Sequence, residues 1–440
     1  MYNKEIETLP LNKLRELQNE RLQNVINQVY RNVPFYKKTF DAAGLRPSDI
    51  KGVQDLHKIP FTKKTDLRDN YPFDLFAVPQ NEIVRIHASS GTTGKPTVVG
   101  YNRHDLKVFD EVVARSLVAG GAKAGMKLHN AYGYGLFTGG LGMHGGATKL
   151  GMGVIPVSGG MTDRQLMIIQ DFQPEVICCT PSYAQTLGEE IKKRGISLDD
   201  LNLKYAILGA EPWTETIRSQ VEKSLNVNAT NIYGLSEIIG PGVSQEDFEE
   251  KGTGSYIWED HFYPEVVHRD TGEPLPYGEE GVLVFTTLTK QALPILRYWT
   301  NDICSIYYDS NAKRTHIKMS SIKGRSDDML IIRGVNLFHT QVEVLLQDFE
   351  LLAANYQLIV TREGTMDNVK LEVEVIEDLS NQIDGDFLEN DKIQHLTSAL
   401  SKKIKNNIGL SMKVELKKYD MIPRSAGGKL SRIKDLRILK

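Results

Sequence analysis

Apolar residues at helical spacing dominate the first part of the chain. In Leu11–Tyr30 they recur every three or four residues, which predicts an amphipathic helix with one buried stripe. The dipeptides Val33-Pro34 and Ile59-Pro60 interrupt the pattern, because proline disfavours a helical conformation at the residue before it. Residues 1–80 are therefore predicted to be helical and connective. The apolar stripe of the first long helix should contain Leu14, Leu17, Leu22, Val25, Ile26 and Val29.

From about residue 83, short apolar segments alternate with helical ones. One helix should begin after Asn102, whose side chain can cap it, and another should end at Gly195. This alternation predicts an α/β domain with a largely parallel sheet. In such sheets ligands bind beyond the carboxyl ends of the strands, so polar residues that follow the strands should converge on one crevice. The predicted strands are Glu82–His87, Thr97–Tyr101, Lys127–Tyr132, Val176–Thr180, Tyr205–Leu208 and Thr230–Tyr233.

The pattern changes after about Ser320 to that of a small α+β unit. The polar segment Arg325–Asp328 between the two patterns has the composition of a linker. The predicted fold class is thus α/β. A large N-terminal domain (1–325) with parallel-rich sheets and helices precedes a small, mobile α+β C-terminal domain (326–440). The elements predicted in the second domain are helices near Val342–Phe349 and Ile393–Ile404 and strands near Tyr356–Thr361, Val369–Ile376 and Val414–Lys418.

Composition excludes several classes of protein. The chain has 440 residues, with 53 Lys plus Arg against 56 Asp plus Glu, so no basic excess is available for general nucleic-acid binding. Its 3 cysteines do not make a disulfide framework, which favours a reducing, cytoplasmic location. The N-terminus has no signal-peptide core, and no run of 18 apolar residues predicts a membrane span.

A glycine- and hydroxyl-rich loop follows the first predicted strand. Small residues let backbone N–H groups approach a phosphate, hydroxyls add donors, and a lysine adds charge. Only two residues separate Gly91 from Gly94, and Pro96 follows Lys95, so this is not the loop of P-loop ATPases. The alternative is a flexible hairpin loop. The candidate phosphate-binding residues are Ser89, Ser90, Gly91, Thr92, Thr93, Gly94 and Lys95.

Four further segments contain residues with possible chemical roles. Each segment taken alone is weak evidence for its role. Glu237, just past a strand, could hold Mg²⁺, and Tyr233 could stack on a base. Gly209–Trp213 would let a flat ligand approach, Asp302 could accept both hydroxyls of a ribose, and Lys429 lies in a glycine-rich loop. The alternatives are a solvated acid, a helix N-terminus, a surface turn and a solvent-facing lysine.

Taken together, the order and wording of these segments resemble the adenylate-forming superfamily of acyl-CoA synthetases. The resemblance is closest to the phenylacetate–coenzyme A ligases and extends over nearly the whole chain. GAEPWTE, GPGV and WEDHFYPE are specific to that branch. The segments that carry the resemblance are His87–Tyr101, Asn130–Gly142, Gly209–Glu215, Tyr233–Val243, Trp258–Glu265, Lys323–Asn336 and the PRSAGGK loop.

The resemblance implies a role for each matched residue. Lys429 is the expected catalytic lysine, Glu237 the Mg²⁺ ligand and Asp327 the hinge between the domains. Asp302 and Arg325 are expected at the ribose, and residues 89–95 around the ATP phosphates. The adenine site is expected to comprise Gly209, Ala210, Glu211, Pro212 and Tyr233, and the acid pocket Tyr132, Tyr134 and Phe137.

The activity implied is aromatic acid activation, as in phenylacetate catabolism. An acid–thiol ligase would use ATP and Mg²⁺ to convert an aryl-acetic acid into an acyl-adenylate and pyrophosphate. Coenzyme A would then displace AMP. Relatives also indicate a homodimer. The alternatives left open are another acceptor (a carrier protein or an amine), another aryl acid such as indoleacetate, and a non-enzymatic nucleotide-binding protein.

The chain also departs from the family pattern. Trp299 and Asn301 replace familiar residues before the ribose acid. Gly145 stands where relatives often have tyrosine, which would enlarge the acid pocket for a bulkier acid. Cysteines that many relatives carry are absent, and the scattered candidates Cys304, His261 and His316 do not predict a zinc site.

Overall fold

Helices form the start of the chain in the computed structural model, which describes residues 1–89, 96–326, 330–332, 335–363, 366–383, 385–424 and 432–437. The predicted long helix is confirmed as Leu11–Asn32, although Leu17 is only partly buried. Gln18 is buried instead, because its amide donates to the main-chain oxygen of Glu259 at 3.0 Å. The first helices are α1 (Lys4–Glu7), α2 (Leu11–Asn32), α3 (Pro34–Ala42) and α4 (Lys64–Asp69).

Strands and helices alternate next, as predicted. The first strand begins later than predicted because of its tertiary pairing. Gln80–Glu82 form a 3₁₀ turn, and the strand begins at Arg85. The helix after Asn102 is confirmed, because the Asn102 side chain accepts from the Asp105 amide at 2.9 Å. These elements are β1 (Arg85–Ser89), β2 (Thr97–Tyr101), α5 (Arg103–Ala119), β3 (Lys127–Asn130), α6 (Thr138–Leu150), β4 (Gly153–Ile155), α7 (Thr162–Phe172), β5 (Val176–Cys179), α8 (Pro181–Lys193), β6 (Tyr205–Gly209), α9 (Glu215–Leu225) and β7 (Asn228–Leu235).

Antiparallel strands follow, and apart from a strand ending at Asp302 the sequence analysis did not predict them. They are short, and several show no alternation because they are buried on both faces. A second sheet, in the order β10-β11-β12-β15, packs beside the main one. The strands are β8 (Gly240–Glu246), β9 (Ser255–Ile257), β10 (Phe262–Val267), β11 (Gly281–Thr287), β12 (Tyr298–Cys304), β13 (Ile306–Tyr307), β14 (Lys318–Met319) and β15 (Gly324–Arg325).

The main sheet is parallel where the sequence predicted it. Within the described residues it has nine strands in the order β13-β14-β9-β8-β7-β6-β5-β3-β4. From β4 to β7 each neighbouring pair is parallel, so the carboxyl ends of these strands lie on one edge. That edge is where ligands bind in open α/β sheets.

The C-terminal part has its own sheet and core. Strands β20-β19-β18-β21 pair in that order, covered by α10 and α12. Strand β21 was not predicted. The elements are β16 (Leu330–Ile332), β17 (Val335–Leu337), α10 (His339–Leu346), β18 (Leu352–Glu363), β19 (Met366–Val375), α11 (Glu377–Gln382), α12 (Asp391–Ile408), β20 (Lys413–Lys417) and β21 (Ile433–Asp435).

The fold class is therefore confirmed: a mixed α/β chain with a large N-terminal domain and a smaller C-terminal domain. One apolar core runs from Leu22 to Met319, and a separate core runs from Leu330 to Leu416. The boundary at 325/326 and the mobility of the small domain stay predictions. Across the described ranges, no helix has the length and apolar character needed to cross a bilayer.

Candidate active site

Two sequence segments that were predicted to bind adenine meet at the carboxyl ends of β6 and β7. Gly209 pairs with Ile232, which places GAEPW directly beside Tyr233. A side chain at Gly209 has no room, because a Cβ there would lie 2.1 Å from the main-chain oxygen of Ile232. The next residue, Ala210, has a φ of 71°, so the chain turns sharply out of the strand. The turn leaves Ala210 and Pro212 exposed at the sheet edge.

The Glu211 carboxylate forms hydrogen bonds with a neighbouring helix. It accepts from the Ser182 hydroxyl at 3.0 Å and from the Ser182 amide at 3.2 Å. Ser182 is in the first turn of α8, where a negative charge is stabilised by the helix dipole. Glu211 therefore anchors the turn, and the predicted contact with adenine is left to the backbone of Gly209 and Ala210.

Gly209→Ala should lower stability, because the added Cβ meets backbone rather than a flexible side chain. Strands β6 and β7 would have to separate locally, at a cost of about 1–3 kcal/mol. Thermal unfolding measures this loss. The matched control is Gly135→Ala, where nothing lies within 4 Å of an added Cβ. Equal melting temperatures for the two variants would contradict the close approach of the strands.

The two predicted ribose residues and Tyr233 are brought together from three strands. The Tyr233 hydroxyl donates to Asp302 Oδ2 at 2.6 Å, and Arg325 Nη1 lies 3.5 Å from Asp302 Oδ1. Asp302 and Arg325 face each other across β12 and β15. Burial, and then the Asp302 charge, raise the pKa of Tyr233 well above its usual value, so its hydroxyl stays protonated as a donor. A carboxylate has about four acceptor sites, so it can accept from more than one donor at a time.

The unusual residues Trp299 and Asn301 form a clamp beside this acid. Asn301 has a φ of 68°, and its side-chain oxygen accepts from the Trp299 indole at 2.8 Å and from the Ser326 hydroxyl at 2.9 Å. The Ser326 amide also donates to the Asn301 carbonyl at 2.7 Å. The departure from the family pattern therefore ties β12 to the residue just before the predicted hinge.

Two hydrogen bonds fix Glu237, which lies just after β7. It is 7% exposed, and its Oε1 accepts from the Tyr298 hydroxyl at 3.1 Å. Its main-chain oxygen accepts from Lys290 Nζ at 3.1 Å. Burial lowers the pKa of Lys290 to about 8, opposed by Asp105 and Glu237. Sequence reasoning missed Lys290, since LTKQALP has no pattern that predicts a buried cation.

The loop before α6 connects the predicted acid pocket to the other segments. The Thr138 hydroxyl lies 3.0 Å from that of Ser236, which is in YGLSE. The Leu136 carbonyl accepts from the Ala88 amide at 2.9 Å, one residue before the end of β1. Strand β1 leads into the predicted phosphate loop. Strand β1, the segment of Glu237 and the predicted acid pocket therefore adjoin the same loop.

Three aromatic residues were predicted to line the acid pocket, and their surroundings differ. Tyr132 is 7% exposed, and burial raises the pKa of its hydroxyl well above the usual value. The Tyr134 hydroxyl accepts from Asn130 Nδ2 at 2.7 Å, and burial raises its pKa to about 12. Phe137, in contrast, is 50% exposed at the start of α6.

Gly145 lies between two helices. A Cβ at this position would meet Asp110 Oδ1 of α5 at 2.0 Å. Helices α5 and α6 pack closely, and the missing side chain lets them do so. The geometry thus offers a packing reason for this glycine, and its predicted effect on the range of acids stays a prediction.

The two histidines among the candidate zinc ligands form hydrogen bonds with different partners. His261 Nε2 lies 3.1 Å from Glu111 Oε2, and His316 Nδ1 accepts from the Glu259 amide at 2.9 Å. Cys304 is buried in β12. In the part of the chain that the structure describes, no three His, Cys, Asp or Glu side chains gather as a metal site.

Several predicted site residues lie outside the described residues. They are Ser90, Gly91, Thr92, Thr93, Gly94 and Lys95 of the phosphate loop, the hinge residue Asp327 and the catalytic candidate Lys429. Ser89 is described as the last residue of β1, paired with Thr97. The roles of these residues stay predictions.

Comparison with known families and curated proteins gives full-length matches. Residues 8–289 match the AMP-binding enzyme family, and residues 334–437 match the AMP-binding enzyme C-terminal domain. The phenylacetate-coenzyme A ligase of Thermus thermophilus is 61% identical over 444 residues, covering 99% of this chain and 100% of that protein. The enzyme of the same name from Escherichia coli is 48% identical, covering 98% of this chain and 97% of that protein.

A solved ligase resembles this chain in one of its states more than in another. 2-Hydroxyisobutyryl-CoA ligase in the postadenylation state, with 2-HIB-AMP, matches with a TM-score of 0.91 at 26% identity, over 98% of this chain and 91% of that one. The same enzyme in the thioesterification state, with CoA, matches with a TM-score of 0.72 at 27% identity, over 99% and 92%. The domain arrangement here is therefore closer to the postadenylation state.

Proposed function

This chain belongs to the AMP-binding enzyme family, and we propose that it ligates phenylacetate to coenzyme A at the expense of ATP. The reaction runs through an acyl-adenylate and releases AMP and pyrophosphate. The observation that carries the proposal is the 61% identity to a phenylacetate-coenzyme A ligase over the full length of both chains. ATP and coenzyme A are then the co-substrates.

The nucleotide is proposed to lie across the carboxyl ends of β6 and β7. Gly209, Ala210 and Tyr233 would surround the adenine, with Glu211 and Pro212 shaping the turn beneath it. Asp302 would accept the two ribose hydroxyls, and Arg325 would lie beside them. The hydrogen bond from Tyr233 to Asp302 links the base side of the site to the sugar side. This bond fixes the acceptor before ATP arrives, which reduces the ordering cost of binding.

Mg²⁺ fits the residues present near Glu237. Magnesium favours one or two carboxylates together with phosphate oxygens, and Glu237 offers a carboxylate whose orientation is set by Tyr298. When bound with ATP, the ion neutralises phosphate charge. Lys290 fixes the backbone of the same residue, so a positive charge lies nearby in a region with little water. No other metal is part of the proposal.

The chemistry turns a poor electrophile into a reactive one. A carboxylate oxygen of phenylacetate attacks the α-phosphorus of ATP, and pyrophosphate leaves. Lys429, from the small domain, is proposed to stabilise the negative charge that builds up at phosphorus. The thiol of coenzyme A then attacks the acyl carbon, and AMP leaves. The two steps need different surroundings, which gives a reason for a hinge at Asp327.

The aryl group is proposed to lie near the loop that precedes α6. Tyr132 supplies a buried ring and Tyr134 a partly buried one there, while Phe137 covers the outer end. The bond between Thr138 and Ser236 places this pocket next to the segment of Glu237. An acid held in it would point its carboxylate toward the nucleotide.

A cytoplasmic location and a homodimer are also proposed. The supporting feature for the location is that Cys178, Cys179 and Cys304 are all free thiols, as is usual in a reducing compartment. The homodimer rests on resemblance alone. Size-exclusion chromatography with light scattering would measure the assembly.

A pyrophosphate-release screen tests the substrate. The purified chain is offered phenylacetate, indoleacetate and benzoate, each with and without coenzyme A. We expect the highest kcat/KM with phenylacetate, and a thioester product only when coenzyme A is present. A thioester formed fastest from another acid would overturn the choice of phenylacetate. Turnover that requires a different acceptor would overturn coenzyme A.

A further inference from the structure

The contact face between the two domains contains an ion pair that is only partly exposed to water. Arg424 of the small domain donates from Nε to Glu189 Oε2 of α8 at 2.9 Å. The Arg424 side chain is 17% exposed and that of Glu189 is 37% exposed. Another charged contact on this face, between Lys192 and Glu377, spans 3.7 Å, and its side chains are 75% and 45% exposed.

The rest of the Arg424 guanidinium is fixed inside the small domain. Nη1 donates to Glu374 Oε1 at 2.9 Å and to the Ile422 carbonyl at 3.0 Å. Glu374 is fully buried, and the guanidinium lies 5.2 Å from the centre of the Tyr419 ring. A planar, always-charged group held in this way is pre-oriented for a second carboxylate. Glu189 is therefore the partner that can be gained or lost when the domains move.

A second polar contact lies on the same face. Thr214 at the start of α9 donates to Glu343 Oε1 of α10 at 3.0 Å, and Tyr356 donates to the other oxygen at 3.1 Å. Burial raises the pKa of Glu343. Thr214 also caps its own helix, so replacing it would disturb more than the contact. The pair between Arg424 and Glu189 is the contact that can be changed most cleanly.

These contacts belong to the domain arrangement of this structure. The chain matches the postadenylation state of the solved ligase far better than its thioesterification state. A bond present in only one of two arrangements shifts the balance between them by its own free energy. The pair therefore favours the arrangement seen here.

We propose that Arg424 is a positioning residue that holds the small domain on α8 through Glu189, and that this bond breaks before coenzyme A attacks. Arg424 touches neither substrate nor nucleotide in this role. The inference rests on the proposed function, because it assigns the bond to the first of that reaction's two steps. It lets the adenylation arrangement persist until the adenylate has formed.

The expected effect is modest but selective. A partly exposed ion pair contributes little once salt screens it, so removing it should change the balance by about two- to fivefold. Adenylate formation should fall by that factor, whereas coenzyme A attack on adenylate supplied ready-made should be unchanged or faster. Replacing Glu189 by a cation adds repulsion, and the ratio of the two rates should then change by about tenfold.

The test compares neighbouring glutamates of α8. Glu189→Gln and Glu189→Lys remove or reverse the charge facing Arg424 and leave the pair between Arg424 and Glu374 intact. Glu190→Gln and Glu190→Lys are the controls, because Glu190 pairs with Arg194 of its own large domain at 2.9 Å. Each variant is assayed separately for phenylacetyl-adenylate formation without coenzyme A and for thioester formation from synthetic phenylacetyl-adenylate.

We expect only the Glu189 variants to change the ratio of the two rates, and we expect their difference from the parent chain to shrink in 1 M salt. A ratio equal to that of the Glu190 variants would overturn the proposal. So would equal losses in both steps, which indicate a merely structural role.

A measurement of domain arrangement separates this inference from the proposed function. Spin labels at Lys223→Cys and Lys402→Cys report the distance between the domains, since the three native cysteines are buried. Adding Glu189→Lys should broaden or shift that distance distribution, and adding Glu190→Lys should not. If the parent chain does not activate phenylacetate, the proposed function is wrong. The role of the ion pair between Arg424 and Glu189 is then tested by the interdomain distance alone. An unchanged distribution overturns it.

Discussion

Lys429→Ala should lower the rate of acyl-adenylate formation by at least about 10²-fold, by analogy with the loss of one oxyanion donor. The physical reason is the negative charge that builds up at the α-phosphorus when the carboxylate attacks. The thiol step does not need that stabilisation, so the variant should still convert synthetic phenylacetyl-adenylate and coenzyme A into thioester. Pyrophosphate release measures the first step, and thioester absorbance measures the second.

Lys429→Arg is the matched control for charge. Arginine keeps the cation but presents it as a planar fork, so adenylate formation should recover only in part. Adenylate formation at the parental rate in the alanine variant would show that Lys429 is not the group that stabilises this charge. Loss of both steps would indicate a folding defect, which thermal unfolding would reveal.

Asp302→Ala should raise the KM for ATP by roughly 10²-fold, with a smaller change in kcat. Hydrogen bonds to a charged acceptor contribute about 1.5–3 kcal/mol each, and the carboxylate is proposed to accept from both ribose hydroxyls. The ribose is remote from the reacting bond, so its loss removes binding in the ground state and the transition state alike. Initial rates at varied ATP concentrations give both constants.

The Tyr233→Phe variant tests the hydroxyl that donates to Asp302 separately from the Asp302 carboxylate itself. This variant removes the hydroxyl 2.6 Å from Asp302 Oδ2 but keeps the carboxylate and the ring. We expect the KM for ATP to rise by less than about tenfold, because only one positioning hydrogen bond is lost. An unchanged KM for ATP in Asp302→Ala would remove Asp302 from the ribose site. A larger effect from Tyr233→Phe than from Asp302→Ala would move the main contact to the hydroxyl.

Local patterns predicted the parallel half of the large domain well. Strand β2 has the predicted bounds, and α5 begins after Asn102 because Asn102 and Asp105 form a reciprocal cap. Most of the antiparallel strands from Gly240 onward were not predicted. Strands β8 and β11 are buried on both faces, so no alternation marks them, and their partners come from other parts of the chain, as when Val284 of β11 pairs with Trp299 of β12.

The sequence predicted candidate site residues that lie beside a strand end. It did not predict the contacts that these segments make with distant parts of the chain. Gly209 and Tyr233 were found in their segments, and the structure brings them together across one pair of strands. Lys290 went unnoticed, because its role depends on the distant carbonyl of Glu237. Glu211 was predicted at the adenine site, and the hydrogen bond of its carboxylate with Ser182 of α8 was not predicted. Such contacts depend on tertiary structure and have no local signature.

The central claim is that the acid attacks the α-phosphorus of ATP, and isotope transfer tests it most directly. The chain is given phenylacetate labelled with ¹⁸O in both carboxylate oxygens, together with ATP, Mg²⁺ and coenzyme A, and the products are separated by mass spectrometry. The account predicts one ¹⁸O atom in each AMP formed and none in pyrophosphate, because the attacking oxygen stays on phosphorus when the thiol displaces AMP. Labelled inorganic phosphate with ADP, or thioester formed alongside unlabelled AMP, would contradict it.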